Sequence, residues 1–418
     1  MSQERTDVLV VGGGPVGLFL AALLAQAGVD VAVWERRAGA PSGSRAIGIH
    51  PPSLDALAAV GATAPVLAEA ARVDRGTARN GGRPIGSLSF ARASSTHPFV
   101  ATLDQHRTEA ILRERLAALA PGSLRTGTTL TALERRRDRV TAQGNGPEGP
   151  VTLTARFVVG ADGARSVVRD RIGVRSHGRD YRDRYVMGDF ADAEPPCSGR
   201  GGSGPSPATT ALVDVGRHGV VESFPLPGGR RRYVVLRSDP ADRHGLDGAS
   251  LDRDAHAPGR PLDPDDPDPR AAAHLARTIR ERTGTEADPE TCTMLSPFRV
   301  RRRTAERVGV GRVVLVGDAA HEISPIGGQG MNLGWLDAAA LAPILAQAVA
   351  TGSAGPWPEY ARHRQAAARR AARQAELNMA LGRPAAGPAL AVREALLRTL
   401  LALPTADALA RVYAMRWA

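Results

Sequence analysis

Lysine is absent: all 54 basic residues are arginine. That removes the Schiff-base lysine, the pyridoxal-phosphate site, the lysine general base and the Walker A phosphate loop. Cysteine is nearly absent, with only Cys197 and Cys292 in 418 residues. A disulfide framework and a thiolate metal site are thereby excluded, and no metal is expected. Aromatic residues make up 4% of the chain, too few for the stacking platforms that bind single strands of nucleic acid. Zinc-finger spacing is missing too. The net charge of +11 therefore reads as solvated arginine, in short clusters such as Arg135–Arg137, Arg230–Arg232 and Arg301–Arg303. No nucleic-acid partner is expected.

Long apolar runs are also lacking. No eighteen uninterrupted apolar residues occur, so no membrane-spanning helix and no integral membrane contact are expected. Met1–Asp7 is polar and charged, and the apolar stretch after it is too short for a signal peptide. These absences predict a cytoplasmic protein, monomer or homodimer, whose partner is a small molecule. At roughly 150 residues per domain the length suggests two or three domains.

What is present begins with Val8–Val11, a β-branched run of the kind that forms a buried parallel strand. Gly12-Gly13-Gly14-Pro15-Val16-Gly17 follows, then a helix from Leu18 to Ala27 stopped by Gly28. A second strand, Val31–Trp34, closes with Glu35. This is a βαβ unit with a Gly-x-Gly-x-x-Gly fingerprint. Gly12 permits the tight turn, Gly14 lets backbone approach a pyrophosphate, and Gly17 lets helix pack on strand. The helix N-terminus offers free N–H groups to phosphate, and Glu35 stands where a carboxylate binds ribose hydroxyls. The fingerprint alone does not separate FAD from NAD(P).

Further along, Ser53–Val60 and Thr108–Leu119 read as helices, and Leu124–Val159 as strands with a turn at Gly144–Pro147. The segments Tyr185–Asp192, Ala208–Val215, Val220–Pro225 and Tyr233–Arg237 read as a separate sheet. Pro195–Pro205 and Pro240–Pro269 read as loops. Helix is expected over Arg270–Arg282, a buried strand over Arg312–Val316, and Ala- and Arg-rich helix from Asp337. Nucleotide-binding elements thus occupy both ends of the chain, with a sheet inserted between them. Within that sheet Val221, Ser223 and Pro225 point one way and Glu222 and Phe224 the other. His218, Glu222 and Arg237 read as surface positions rather than substrate contacts. Leu396, Leu397, Leu400, Leu401 and Leu403 make an apolar helix expected to dock on the protein's own core.

Two later segments identify the cofactor. Val158-Val159-Gly160-Ala161-Asp162-Gly163 is one; Val314-Leu315-Val316-Gly317-Asp318-Ala319-Ala320-His321, continuing to Pro325-Ile326-Gly327-Gly328-Gln329-Gly330-Met331-Asn332, is the other. With the glycine fingerprint, in this order, they resemble the flavoprotein aromatic hydroxylases of the para-hydroxybenzoate hydroxylase family. The resemblance covers most of the chain. It implies an α/β fold: a discontinuous Rossmann-like FAD-binding domain over 1–178 and 299–380, an inserted, mostly antiparallel substrate sheet over 179–298, and a C-terminal helical segment over 381–418.

It also implies site roles. Gly12, Gly14, Pro15 and Gly17 would cradle noncovalent FAD and Glu35 would hold its adenosine ribose. Arg45 would lie over the phosphates, and Gln105 would contact the cofactor. Asp162 would support FAD and a visiting nicotinamide cofactor, and Asp318 would bind the ribityl chain. Pro325 would put its backbone beside the reactive edge of the flavin, with no side-chain base assigned. Gly328, Gly330, Met331 and Asn332 would offer backbone N–H groups to the pyrimidine end, with Gln329 where some relatives carry lysine. Arg36, with Arg37, hints at a phosphorylated nicotinamide. His321 reads as structural; His321-Glu322 lacks the second histidine of a zinc-protease motif.

The activity implied is a monooxygenase. NADPH or NADH reduces the flavin, O2 adds to give a C4a-hydroperoxide, and an electron-rich aromatic or polyketide-like molecule is hydroxylated, epoxidised or oxidised in Baeyer–Villiger fashion. No second Gly-x-Gly-x-x-Gly exists to hold the nicotinamide apart. A flavin halogenase is disfavoured, because its lysine and its Trp-x-Trp pair are absent. An FAD oxidase or reductase without oxygen insertion, and an FAD-binding protein sheltering an intermediate, remain as alternatives.

Overall fold

A run such as Val8–Val11 has no polar face to offer water, so it settles where both faces are covered. In the computed structural model, which describes residues 4–39, 46–192, 207–237, 267–402 and 406–417, that run ends strand β1 (Glu4–Val11) inside a largely parallel sheet. Helix α1 (Pro15–Gln26) leads from it to strand β2 (Val31–Glu35), which pairs in parallel with Val11 opposite Trp34. On its other side β1 pairs with strand β3 (Gly149–Gly160), Val11 opposite Gly160. The strand Val313–Leu315 adds to β3 with Leu315 opposite Gly160. Leu18, Phe19, Leu20 and Leu24 of α1 are buried against this sheet, each side chain contributing about 1.5–3 kcal/mol.

The antiparallel strands Thr129–Arg135 and Val140–Gly146 extend β3. Gly146 pairs with Gly149, so the turn lies at Pro147-Glu148, later than the glycine cluster predicted. The glycines continue the strand, and the proline, which cannot donate to a ladder, takes the turn.

The second sheet is built from strands β4 (Ser176–Ala191), β5 (Thr210–Gly216), β6 (Gly219–Leu226), β7 (Arg230–Leu236) and β8 (Met294–Ala305). They lie in the order β8-β4-β7-β6-β5, followed by Arg75–Asn80 and Arg83–Ser89. Every one of these neighbours is antiparallel except β5 with Arg75–Asn80. The stretch 1–178 thus contributes to both sheets. Its edge strands carry Arg, Gly, Thr and Asn without an alternating apolar pattern, which hides them from sequence reading. The fold is α/β, with a Rossmann-like parallel sheet and a mostly antiparallel one.

The antiparallel sheet has two unlike faces. Val186, Phe190, Val221, Tyr233, Val235 and Leu295 pack on helix Pro269–Thr283. Asp268 caps that helix by accepting from the Arg270 N–H. The opposite, front face carries Tyr185, Met187, Val220, Val234, Leu236 and Phe298, joined by Ile326 and Met379 from the chain's last third.

The long helix Gln329–Thr351 is apolar enough to cross a membrane by length and composition, although Asn332 and Asp337 interrupt its apolar run. It packs instead beside α1, with Leu333, Trp335, Ala338, Leu341 and Leu345 buried. The helix Gly387–Ala402 lies on the antiparallel sheet. Arg393 is buried there and donates to the carbonyls of Leu381, Arg383, Val215 and Gly216. Leu397 and Leu401 face inward, whereas Leu396 is exposed. Arg45, Cys197, Leu403, Pro195–Pro205 and residues 240–266 lie outside the described residues.

Candidate functional site

Parallel strands bring their C-terminal ends to one edge of a sheet. Here β1 ends at the glycine loop, β2 at Glu35, β3 just before Asp162, and Val313–Leu315 just before Asp318. Register ties the four ends together. Gly12 N–H donates to Trp34 O, Ala161 N–H to Val11 O, and Val316 N–H to Gly160 O.

Two glycines in the first loop are sterically required. Gly12 has φ +112°, and a Cβ there would lie 2.4 Å from Ala161 O. A Cβ on Gly17 would lie 1.9 Å from Gly12 O. Gly14, by contrast, faces open space, with no atom within 4 Å of a Cβ. Pro15 opens α1, and Gly14 supplies no capping side chain. The first-turn N–H groups of Val16 and Gly17 therefore point past Gly14 without a helical partner. The Trp335 indole fixes this end by donating to Pro15 O.

Glu35 lies beneath the loop. It accepts from Gly13 N–H at 2.6 Å and from Arg37, through backbone N–H at 2.8 Å and Nε at 2.9 Å. Burial works against its ionisation, but Arg37 outweighs that and holds its pKa below the usual range. Arg37 also reaches Glu109, which accepts from Gln105. Gln105 is thereby joined to the edge. Arg37, not Arg36, carries this network; Arg36 is exposed.

The Asp162 carboxylate is engaged by its own turn, accepting from the Ser166 hydroxyl and from Val168 N–H. Arg169 then bridges the two aspartate turns, donating to Ala164 O at 3.0 Å and to Ala319 O at 3.2 Å. Sequence reading missed Arg169; a buried arginine beside a turn of carbonyls has no periodic signal.

Asp318 is exposed to solvent, yet densely surrounded by protein, as a side chain on the floor of a groove is. Among the described residues its carboxylate has no hydrogen-bond partner. Burial, with the Glu322 charge adding to it, raises its pKa to about 6. Behind it lies a buried charge network. Asp337 accepts from Gly317 N–H at 3.1 Å and from Arg364 Nε at 2.6 Å, and meets His321 Nε2 at 2.5 Å. Burial opposes both charges, but each partner favours the other. The His321 pKa is raised and that of Asp337 lowered. His321 is structural, as expected, and Asp337 is the residue that sequence reading missed.

The loop after it is stapled by Asn332. Its side chain donates to Gly328 O and Gly48 O and accepts from His50 N–H. Gly328 N–H donates to Pro325 O, so Pro325 begins a tight turn that delivers Gly328, in the left-handed conformation, as the N-cap of the helix from Gln329. Gly330 and Met331 sit in its first turn, their N–H groups free of helical partners. Two buried polar atoms here lack partners, Gln329 Oε1 and His50 Nδ1. Burial lowers the His50 pKa to about 4, so its ring is neutral.

These features fit a dinucleotide bearing a flat polar ring. The open backbone at Gly14, the unpartnered Asp318 carboxylate, and the orphan atoms of Gln329 and His50 lie along the glycine and aspartate turns that such a molecule would follow. The front face of the antiparallel sheet closes the far side through Ile326. Glu222 lies on that face, 8% exposed, rather than at the surface. His218 is exposed, as expected.

Comparison with known proteins gives a consistent picture. The family described as "FAD binding domain" matches residues 5–247 and 250–375. The chain is 34% identical over 359 residues to 12-dehydrotetracycline 5-monooxygenase/anhydrotetracycline 6-monooxygenase of Streptomyces rimosus, covering 84% of this chain and 64% of the relative. It is 29% identical over 361 residues to para-nitrophenol 4-monooxygenase of Pseudomonas sp. strain WBC-3, covering 84% and 80%. The crystal structure of p-nitrophenol 4-monooxygenase from Pseudomonas putida DLL-E4 superposes with a TM-score of 0.79 at 26% identity, covering 99% of this chain and 97% of that one. The chain thus spans less than two thirds of the length of the tetracycline relative.

Proposed function

The chain belongs to the FAD-binding family of flavoprotein aromatic hydroxylases, and on that premise we propose that it is an FAD-dependent monooxygenase. It would use NADPH or NADH and O2 to hydroxylate a small, electron-rich aromatic or polyketide-like molecule. One observation carries the reading: the glycine loop, Glu35 and the two aspartate turns share one sheet edge, and the loop at Pro325 joins that edge to the front face of the second sheet. Relatives named for tetracycline intermediates and nitrophenol support the substrate class.

In this reading Gly12, Gly14, Pro15 and Gly17 admit the pyrophosphate to the α1 N-terminus, where the helix dipole favours an anion. Glu35 holds the adenosine ribose with a remaining lone pair, since a carboxylate has about four acceptor sites and three are used. Arg45 serves the FAD phosphates and Arg36 the phosphate of a nicotinamide cofactor, and Gln105 and Asp162 line the cofactor groove. Asp318 accepts from ribityl hydroxyls, which satisfies a carboxylate that protein leaves unpartnered. Gly328, Gly330, Met331 and Asn332 present backbone N–H groups to the pyrimidine end, and Pro325 sets the backbone beside the reacting edge. FAD supplies electron uptake from the nicotinamide and activation of dioxygen. The apolar front face excludes water from that chemistry.

The test is an oxygen balance. Protein loaded with FAD and given NADPH and a phenolic polycycle is expected to consume O2 with matching oxygenated product, identified by mass. Peroxide equal to all O2 consumed, with no oxygenated product from any aromatic tried, would favour an oxidase and overturn the proposal.

A further inference from the structure

Among the described residues the front face carries a carboxylate with nothing to pair it. Across neighbouring strands Ser296, Met187, Val234, Glu222 and Val213 stand side by side. Glu222 is thus flanked by Val234 and Val213, and lies more than nine-tenths buried. Among the described residues its carboxylate has no hydrogen-bond or ion-pair partner. One row over, Tyr185 stacks on Phe298 with ring centroids 5.5 Å apart, and its hydroxyl is buried and unpartnered too. The Glu222 charge is felt by both Tyr185 and Tyr413. Tyr413 in turn donates to Asn378 Oδ1, whose Nδ2 would stand 3.2 Å from a Cβ at Gly327. Glu222 therefore stands on the face that the loop following Pro325 packs against. Ile326 of that loop belongs to the same apolar cluster as Tyr185, Met187 and Val234.

The other charges on this face are already matched. Arg232 holds Asp189 in a two-point ion pair at 2.6 and 2.7 Å and also reaches Asp104. Among the described residues no cation stands beside Glu222 to receive an anionic ligand, and burial is the influence that acts on its ionisation. An apolar face with one unpaired acceptor suits a ring system that brings a donor. A site built to pair one polar group strongly rejects analogues that cannot pair it.

We propose that Glu222 is the specificity residue of the substrate chamber, accepting a hydrogen bond from a hydroxyl group on an uncharged, otherwise apolar ring system and turning carboxylate-bearing rings away. The proposal rests on the monooxygenase reading and adds to it the class of molecule admitted. Burial raises the Glu222 pKa to about 7, so roughly half of it is ionised at neutral pH, and a donor on the ligand stabilises the ionised form.

The test uses three ligands of one shape: naphthalene, 2-naphthol and 6-hydroxy-2-naphthoic acid. Each is titrated into FAD-loaded protein and followed by flavin fluorescence. Wild type is expected to bind 2-naphthol at least about tenfold more tightly than either companion, the size of a hydrogen bond to a charged group. Glu222→Leu, which removes the acceptor, with unchanged FAD content as the check on folding, is expected to lose most of the preference for 2-naphthol over naphthalene, and Glu222→Gln, which keeps a neutral acceptor, to admit the naphthoic acid better. Equal binding of the three ligands by wild type, or an unchanged preference in Glu222→Leu, overturns the proposal and leaves the flavin reading intact. Failure of wild type to take up FAD overturns the reading beneath it, and the proposal falls with it.

Discussion

Replacing Glu222 by glutamine should stabilise the protein, and more so as pH rises. The side chain is 8% exposed, and among the described residues no cation stands beside it. Burial alone raises its pKa from 4.5 to about 7. Below the unfolded value both states are protonated, and the carboxyl costs nothing. As pH climbs from about 4.5 toward 7, the unfolded chain releases a proton that the folded chain keeps, so stability falls. Above about 7 the cost levels off at roughly 3 kcal/mol, from about 1.36 kcal/mol for each pKa unit. The linkage relation gives about 1 kcal/mol at pH 5 and about 3 kcal/mol at pH 8. Glutamine keeps the shape without the charge, so the wild-type-to-mutant difference isolates this group while other titrations cancel. Urea unfolding followed by tryptophan fluorescence, with both proteins saturated in FAD, measures it. The midpoint gap in favour of Glu222→Gln should widen from the acid to the alkaline buffer. A constant gap, or a wild type that gains on the mutant as pH rises, would refute the claim that Glu222 is buried without a partner.

Gly14→Ala should fold normally, because a methyl there meets open space, yet weaken FAD binding by occupying the approach to the helix N-terminus. Gly17→Ala should lose both stability and FAD, its methyl lying 1.9 Å from Gly12 O; a yellow, stable Gly17→Ala protein would contradict the geometry. Asp318→Ala should weaken FAD about tenfold or more in a titration, as expected for losing a charged acceptor. Asp337→Asn should destabilise the fold by about 3–5 kcal/mol in urea unfolding, because it leaves the Arg364 charge buried and unpaired and takes from His321 the carboxylate that holds its proton.

The parallel sheet edge was legible in the sequence because its signals are local. A β-branched strand, a glycine turn and a helix occupy Val8 to Gln26 without help from the rest of the chain. Each aspartate-bearing turn likewise follows its own buried strand. What stayed hidden is how the turns are held to one another. Arg169 crosses from one aspartate turn to the other, and Asp337 reaches back from a helix to Gly317 and His321. Both act through partners 15 residues or more away or through backbone carbonyls, and composition marks neither. Among 54 arginines, a structural one looks like its solvated neighbours.

The antiparallel sheet was legible as strands but not as a surface. Alternation put Glu222 and Phe224 on one side and Val221 on the other, and it could not say which side faces inward, because both are covered. The arginine cluster 230–232 shows why polarity misleads here. Arg231 points to the helix-covered side and pairs with Asp192, whereas Arg230 and Arg232 reach Asp104 on the other. Asp104 precedes Gln105, where a helix-capping role would be read, yet its side chain caps nothing and takes the two arginines instead. That choice ties the start of the Gln105 helix, on the cofactor side, to the row of the front face next to Glu222. A charge removed at Asp104 would leave Arg230 and Arg232 to share Asp189, and the start of the Gln105 helix would lose its tie to the front face.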